Sequence, residues 1–155
     1  MIITSNSVNH EYTIPNLITV GQVDSNYNVI EQVTIYINSS TTFDHTYEKT
    51  IYEEPGMVGI TSIVTESKTV EEFTHFFVDL ETSNILSFEE FDSLEEDTVL
   101  QWAFEANPEK VSAHQNANEE KVLEKKDRVL NPLKYYKDSP VTPWRRRADE
   151  ALASE

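Results

Sequence analysis

Val29-Ile30-Glu31-Gln32-Val33-Thr34-Ile35-Tyr36-Ile37 is the stretch on which the fold turns. Val29, Glu31, Val33, Ile35 and Ile37 share one face at period two, and Gln32, Thr34 and Tyr36 point the other way, the pattern of a half-buried strand. Upstream, Ile18-Thr19-Val20-Gly21-Gln22-Val23 has the same character, and the turn-rich Asp24-Ser25-Asn26-Tyr27-Asn28 lies between. Two such runs around so short a polar joint predict a hairpin. Glu31 interrupts the apolar face and is placed near a strand end. Farther on, strand-like runs at Thr46–Tyr52, Gly59–Thr65, Phe73–Leu80 and Ile85–Phe88 are separated by Glu53-Glu54-Pro55-Gly56 and other polar turns. Several short strands joined in this way predict a small antiparallel sheet or a sandwich.

The pattern changes at Ser93. Ser93-Leu94-Glu95-Glu96 has capping-box spacing, and Val99, Trp102, Ala103 and Ala106 recur at helical spacing. Asn107-Pro108 predicts the end of one helix and the start of the next, because proline suits a first helical position. From Glu109 to Leu130 helix formers are abundant but the apolar stripe is thin (Val111, Val122, Leu123, Val129, Leu130), so this helix is expected to be largely exposed or to pack on another chain. Asn131-Pro132 stops it. Leu133 to Trp144 mixes Tyr135, Tyr136, Pro140, Pro143 and Trp144 without periodicity, the composition of an extended arm. The expected class is α+β: a small antiparallel sheet or sandwich, two helices and an extended C-terminal arm. The expected organisation is a β-rich acidic domain over 1–92, a helical segment over 93–131 and an arm over 132–155.

Charge divides the chain as well. Residues 1–107 hold 19 of the 28 acidic residues and only Lys49 and Lys68 as bases, whereas residues 108–155 set 9 acids against 10 bases. The acidic part repels phosphate backbones and anionic membrane surfaces, so neither nucleic acid nor membrane is expected as a partner. With no cysteine in 155 residues there is no disulfide framework, thiolate metal site or thiol nucleophile. No stretch approaches the roughly 18 apolar residues of a membrane span, and Met1-Ile2-Ile3-Thr4-Ser5-Asn6 lacks the pattern of a signal peptide. Synthesis in a cytoplasm is the expectation, with the protein kept there or inside a particle.

The motifs of catalysis are missing. There is no phosphate-cradling glycine loop, nucleophile elbow or paired-histidine zinc motif. His10, His45, His75 and His114 are scattered, and read as surface or partly packed residues. The acidic pairs Glu53-Glu54, Glu71-Glu72, Glu89-Glu90 and Glu95-Glu96 read as solvated surface in so acidic a chain. Asn38-Ser39-Ser40 matches a glycosylation acceptor, without a secretory route to use it. The expectation is therefore no enzyme, cofactor, metal or small-molecule substrate.

Two features carry a functional reading. The first is the proline-aromatic arm. The plainer account has it fold back with Trp144 plugging an edge of its own core. The functional account has Tyr135, Tyr136, Pro140, Pro143 and Trp144 docking on a neighbouring subunit. The second is Arg145-Arg146-Arg147, either a solubilising cluster or a docking point for an acidic partner such as another copy of the chain.

Phe91-Asp92-Ser93-Leu94-Glu95-Glu96-Asp97-Thr98-Val99-Leu100-Gln101-Trp102, then Asn131-Pro132, then Pro140-Val141-Thr142-Pro143-Trp144 is an order that resembles a family of small uncharacterised proteins encoded by tailed bacteriophages, including phages of cyanobacteria. The likeness covers residues 88–144; the first half is similar in character only. This chain has Pro-Val-Thr-Pro-Trp where the family has a continuous proline run, and adds Arg145 to Glu155 beyond the usual ending. The resemblance implies a virion-associated protein, made in the host cytoplasm and binding capsid or tail proteins or copies of itself. It transfers no catalytic residue. The leading expectation is a non-enzymatic structural component, for decoration or cementing of a capsid or as part of a tail. The alternatives are an assembly factor or tail-fibre chaperone, an acidic mimic of DNA and, lower still, a glycan hydrolase.

Overall fold

The computed structural model describes residues 1–56, 58–82 and 90–135, together with Trp144, Arg147, Ala151 and Leu152. Strands β1 (Ile2–Ser5), β2 (Val8–Val23), β3 (Asn26–Ile51) and β4 (Ile60–Asp79) form one antiparallel sheet in the order β1-β2-β3-β4. Helices α1 (Glu96–Ala106) and α2 (Pro108–Leu130) follow, flanked by 3-10 turns at Phe91–Ser93 and Pro132–Tyr135. The class is α+β, a sheet and then two helices, as the sequence predicts. The described strands make a single sheet, and the predicted strand Ile85–Phe88 lies outside the described residues.

The predicted hairpin forms between β2 and β3, with Val20 opposite Val29, Leu17 opposite Val33 and Val23 opposite Asn26. Asp24 turns the chain at φ +54°, in the left-handed region that aspartate tolerates. Two bulges shape this pair. Thr13 faces Tyr36 but Asn16 faces Thr34, so Ile14 and Pro15 together oppose Ile35. Pro15 has no N–H to lose from the ladder, which suits it to a bulge. Ile18 then faces Gln32 while Thr19 faces Ile30, so Glu31 is the unpaired extra residue. The break in alternation at Glu31 is therefore a bulge within the strand rather than a strand end, and its carbonyl accepts from Leu80 N–H at 2.8 Å.

The chain divides into two compact units: Met1–Ser40 with Glu71–Val122, and Thr41–Val70 with the described residues of Leu123–Glu155. The first unit holds the main core. Tyr12, Ile30, Val33, Ile35, Ile37, Phe76 and Val78 of the sheet pack against Val99, Leu100 and Ala103 of α1 and Val111 of α2. Tyr12 meets Phe104 edge-on at 4.9 Å, and burial pushes its hydroxyl up to about 12. Phe76 stacks on His114 at 4.2 Å, and burial, then nearby Lys110, lower the pKa of that imidazole. α1 begins without the expected capping box. Ser93 lies in the preceding 3-10 turn, where its hydroxyl donates to Glu90 O at 2.7 Å. Glu96 starts the helix and accepts instead from Ile14 N–H at 3.2 Å, the amide exposed by the Pro15 bulge.

The second unit contains the hairpin end of β3 and β4. Both strands are longer than their composition suggests, 26 and 20 residues. Threonines opposite one another join them: Thr42 with Thr69 at 2.8 Å, Thr46 with Thr65 at 2.8 Å and Thr50 with Thr61 at 3.1 Å. Threonine recurs every fourth residue on each strand, so every pair falls on one face. Gly56, at φ +84°, serves the predicted turn. At the end of α2, Asp127 accepts from Asn131 Nδ2 at 2.7 Å, from Lys134 Nζ at 2.8 Å and from the Tyr135 hydroxyl. Hydrogen bonds from Lys134, Tyr135 and Asn131 hold its carboxyl far below the usual range. This lock closes the helix C-terminus, whose last carbonyls lack helical donors.

Candidate functional site

Two regions carry the polar and aromatic groups from which a site could be built. One is a knot inside the first unit. His10 on β2 and Ser39 on β3 sit opposite each other and are wholly buried. His10 Nδ1 lies 2.7 Å from Ser39 Oγ, and His10 Nε2 lies 3.2 Å from Glu119 Oε2 on α2. Asn118 Nδ2 donates to Ser39 Oγ at 3.2 Å and to Ile37 O at 3.5 Å. Asn6 Nδ2 donates to Glu119 Oε1. One tautomer satisfies every member: Asn118 donates to Ser39, Ser39 O–H to His10 Nδ1, and His10 Nε2–H to the carboxylate. Burial alone would raise the Glu119 pKa, but hydrogen bonds from Asn6, Ser5 and His10 outweigh it and hold the carboxyl below its ordinary value.

A serine, a histidine and a carboxylate in series carry the residue types of a hydrolytic triad. Here the hydroxyl is sealed in the interior, where no substrate carbonyl can meet it. Its oxygen also accepts from Asn118 and its proton is engaged by His10. The chain of bonds instead ties α2 to the sheet and to the β1–β2 turn, where Asn6 and Ser7 both adopt left-handed φ, +49° and +64°. Two left-handed residues in a two-residue loop are the hairpin form that matches strand twist. α2 is exposed over much of its length, as the sequence predicts, and a polar stripe, Asn118 and Glu119 between Val111 and Val122, holds its buried face to the sheet. His10 read as a surface or partly packed residue, and it is buried. The signal missed was the spacing of Val8, His10 and Tyr12 at strand period, which continues the apolar face through the histidine.

The second region is a cleft, also within the first unit. Ile14, Leu17, Ile30, Phe91, Leu94 and Val99 line it with Glu95 and Glu96, and its volume is about 260 Å³. The two β-bulges aim Ile14, Leu17 and Ile30 into it, since a bulge bends its strand and redirects side chains.

The residues expected to dock are placed as follows. Tyr135 is half-buried, with its hydroxyl on Asp127 and its ring 4.4 Å beneath the Arg128 guanidinium. Leu133 to Tyr135 belong to a 3-10 turn, not extended chain, because the Asp127 lock gathers them against α2. Trp144 is 68% exposed and Arg147 is exposed. Tyr136, Pro140, Pro143, Arg145 and Arg146 lie outside the described residues. Among the described residues no grouping of three or more His, Cys, Asp or Glu could hold a metal ion, and no helix is long and apolar enough to cross a membrane.

A family of protein domains, described as a domain of unknown function (DUF7936), matches residues 7–144. The chain belongs to this family. The DUF7936 match takes in His10, Ser39, Asn118 and Glu119, the whole cleft, and the segment up to Trp144; Asn6 and Arg145–Arg147 fall outside it. No curated protein and no solved structure matches the chain.

Proposed function

We propose that this DUF7936 protein is a non-enzymatic, virion-associated structural protein of a tailed bacteriophage that attaches to its lattice through its C-terminal segment. The observation that carries the reading is the state of Trp144, a large aromatic that is 68% exposed, three residues before exposed Arg147 in a segment that also contains Arg145 and Arg146. Tryptophan and arginine are the residue types that anchor protein interfaces, and an exposed tryptophan gains most when a partner covers it. The likeness of residues 88–144 to tailed-phage proteins supplies the setting, a capsid or tail, where repeated copies make single weak contacts collectively strong. The sealed knot supports the non-enzymatic part, since its serine and histidine are consumed in holding α2 to the sheet.

Mass spectrometry of purified particles tests the proposal, with the protein expected at stoichiometric abundance. Abundance in infected lysate with absence from particles would instead favour an assembly factor or tail-fibre chaperone that uses the same segment transiently.

A further inference from the structure

The C-terminal segment and the cleft of the first unit have matching properties. The cleft is lined by six apolar side chains and two carboxylates, Glu95 and Glu96. Its volume of about 260 Å³ lies below the roughly 300–1,000 Å³ of small-molecule sites, a size for one large side chain rather than a whole ligand. Glu95 is exposed at the start of α1, flanked by exposed Asp92, Glu96 and Asp97. Glu96 is tied to Ile14 N–H and Asp97 pairs with the Met1 amino group at 3.2 Å, so Glu95 is the carboxylate of this rim best placed to meet an incoming cation. The occupant that fits is an aromatic ring followed directly by positive charge. Trp144-Arg145-Arg146-Arg147 has that form, and no other run of three consecutive basic residues occurs in the chain.

We infer that the cleft receives Trp144 of a second copy of this chain, with Arg145–Arg147 of that copy set against the acidic rim at Glu95. The inference rests on the proposed docking role of the C-terminal segment and names its receptor. Burying an indole among Ile14, Leu17, Leu94 and Val99 supplies the attraction, and the charges orient the segment and reject like-charged competitors. A contact in which one copy's segment enters another copy's body is heterologous unless reciprocated. It therefore closes as a mutual exchange or propagates along a lattice, and either serves a particle-bound protein.

Sedimentation velocity of the full chain over a range of concentrations tests this. Wild-type protein is expected to self-associate. Trp144→Ala is expected to weaken association about 30-fold, the scale of an interface anchor. Glu95→Arg, an exposed change checked by circular dichroism to leave the fold intact, is expected to weaken it as well. Pairing Glu95→Arg with the single reversal Arg145→Glu, which leaves Arg146 and Arg147 to face the remaining carboxylates of the rim, is expected to recover part of the loss. A chain that stays monomeric at every concentration, or association indifferent to both Trp144→Ala and Glu95→Arg, overturns the inference. If Trp144→Ala also blocks incorporation into particles while the chain itself stays monomeric, the docking role survives and its partner is a different protein.

Discussion

The knot at His10 and the segment at Trp144 are opposite uses of side chains. The knot gathers the groups best suited to chemistry, a serine, a histidine and a carboxylate, and spends every donor and acceptor on its neighbours. Trp144 and the arginines after it offer no acid-base chemistry, yet Trp144 keeps most of its surface in water. The contrast teaches that a catalytic-looking constellation is judged by access and satisfaction before residue type. A buried polar network whose members bond one another is a fastening, whereas an exposed aromatic in a basic segment keeps its surface available for the docking proposed above.

His10→Ala leaves Ser39 and Glu119 without their shared partner and opens a cavity, so a loss of about 3 kcal/mol in urea unfolding is expected. A loss under about 1 kcal/mol would mean the knot is not what holds α2 to the sheet. Glu119→Gln keeps the shape but removes the charge, and its signature is pH dependence. Hydrogen bonds hold the folded carboxyl below its ordinary value, so the stability it contributes is complete above the ordinary carboxylate range and disappears as pH falls through the lower folded value. Wild-type stability should therefore fall more steeply on acidification below pH 4.5 than that of Glu119→Gln, as read by urea unfolding at pH 7 and at pH 3.5. Parallel curves would remove Glu119 from the account.

Smaller effects sharpen the other side. Thr46→Ala breaks one cross-strand threonine pair in the second unit and should cost about 0.5 kcal/mol, within the range of such pairs. Trp144→Ala should change the stability of the isolated chain by less than about 0.5 kcal/mol, because an exposed ring gives up little packing. A large loss of stability would place that ring in its own core.

Much of the fold was legible because its signals are local. Alternation through Val33, Ile35 and Ile37 marked the central strand, and Asn107-Pro108 and Asn131-Pro132 marked the helix ends, since proline acts through its own ring and missing N–H. The full reach of β3 was not legible. Asn38-Ser39-Ser40-Thr41-Thr42 has loop composition, and it stays in the strand because Ser39 and Thr41 are buried and Thr42 is paired with Thr69, facts about partners far away in sequence. The capping box failed for a similar reason: Glu96 is drawn to an amide exposed by a bulge 82 residues earlier. The knot was hidden because its members, residues 6, 10, 39, 118 and 119, come together only once the sheet and α2 are packed. Within the candidate docking set, the sequence marked the arginine cluster and Trp144, while the receiving cleft needed the positions of two bulges.

The most direct test follows Trp144 itself. In a Trp102→Phe background Trp144 is the sole tryptophan, and acrylamide quenching of its fluorescence reports its exposure. Near-free quenching is expected in dilute protein, and marked protection as concentration rises or purified particles are added. Equal quenching under all of these conditions would contradict the docking role, because the ring would then have no partner to cover it.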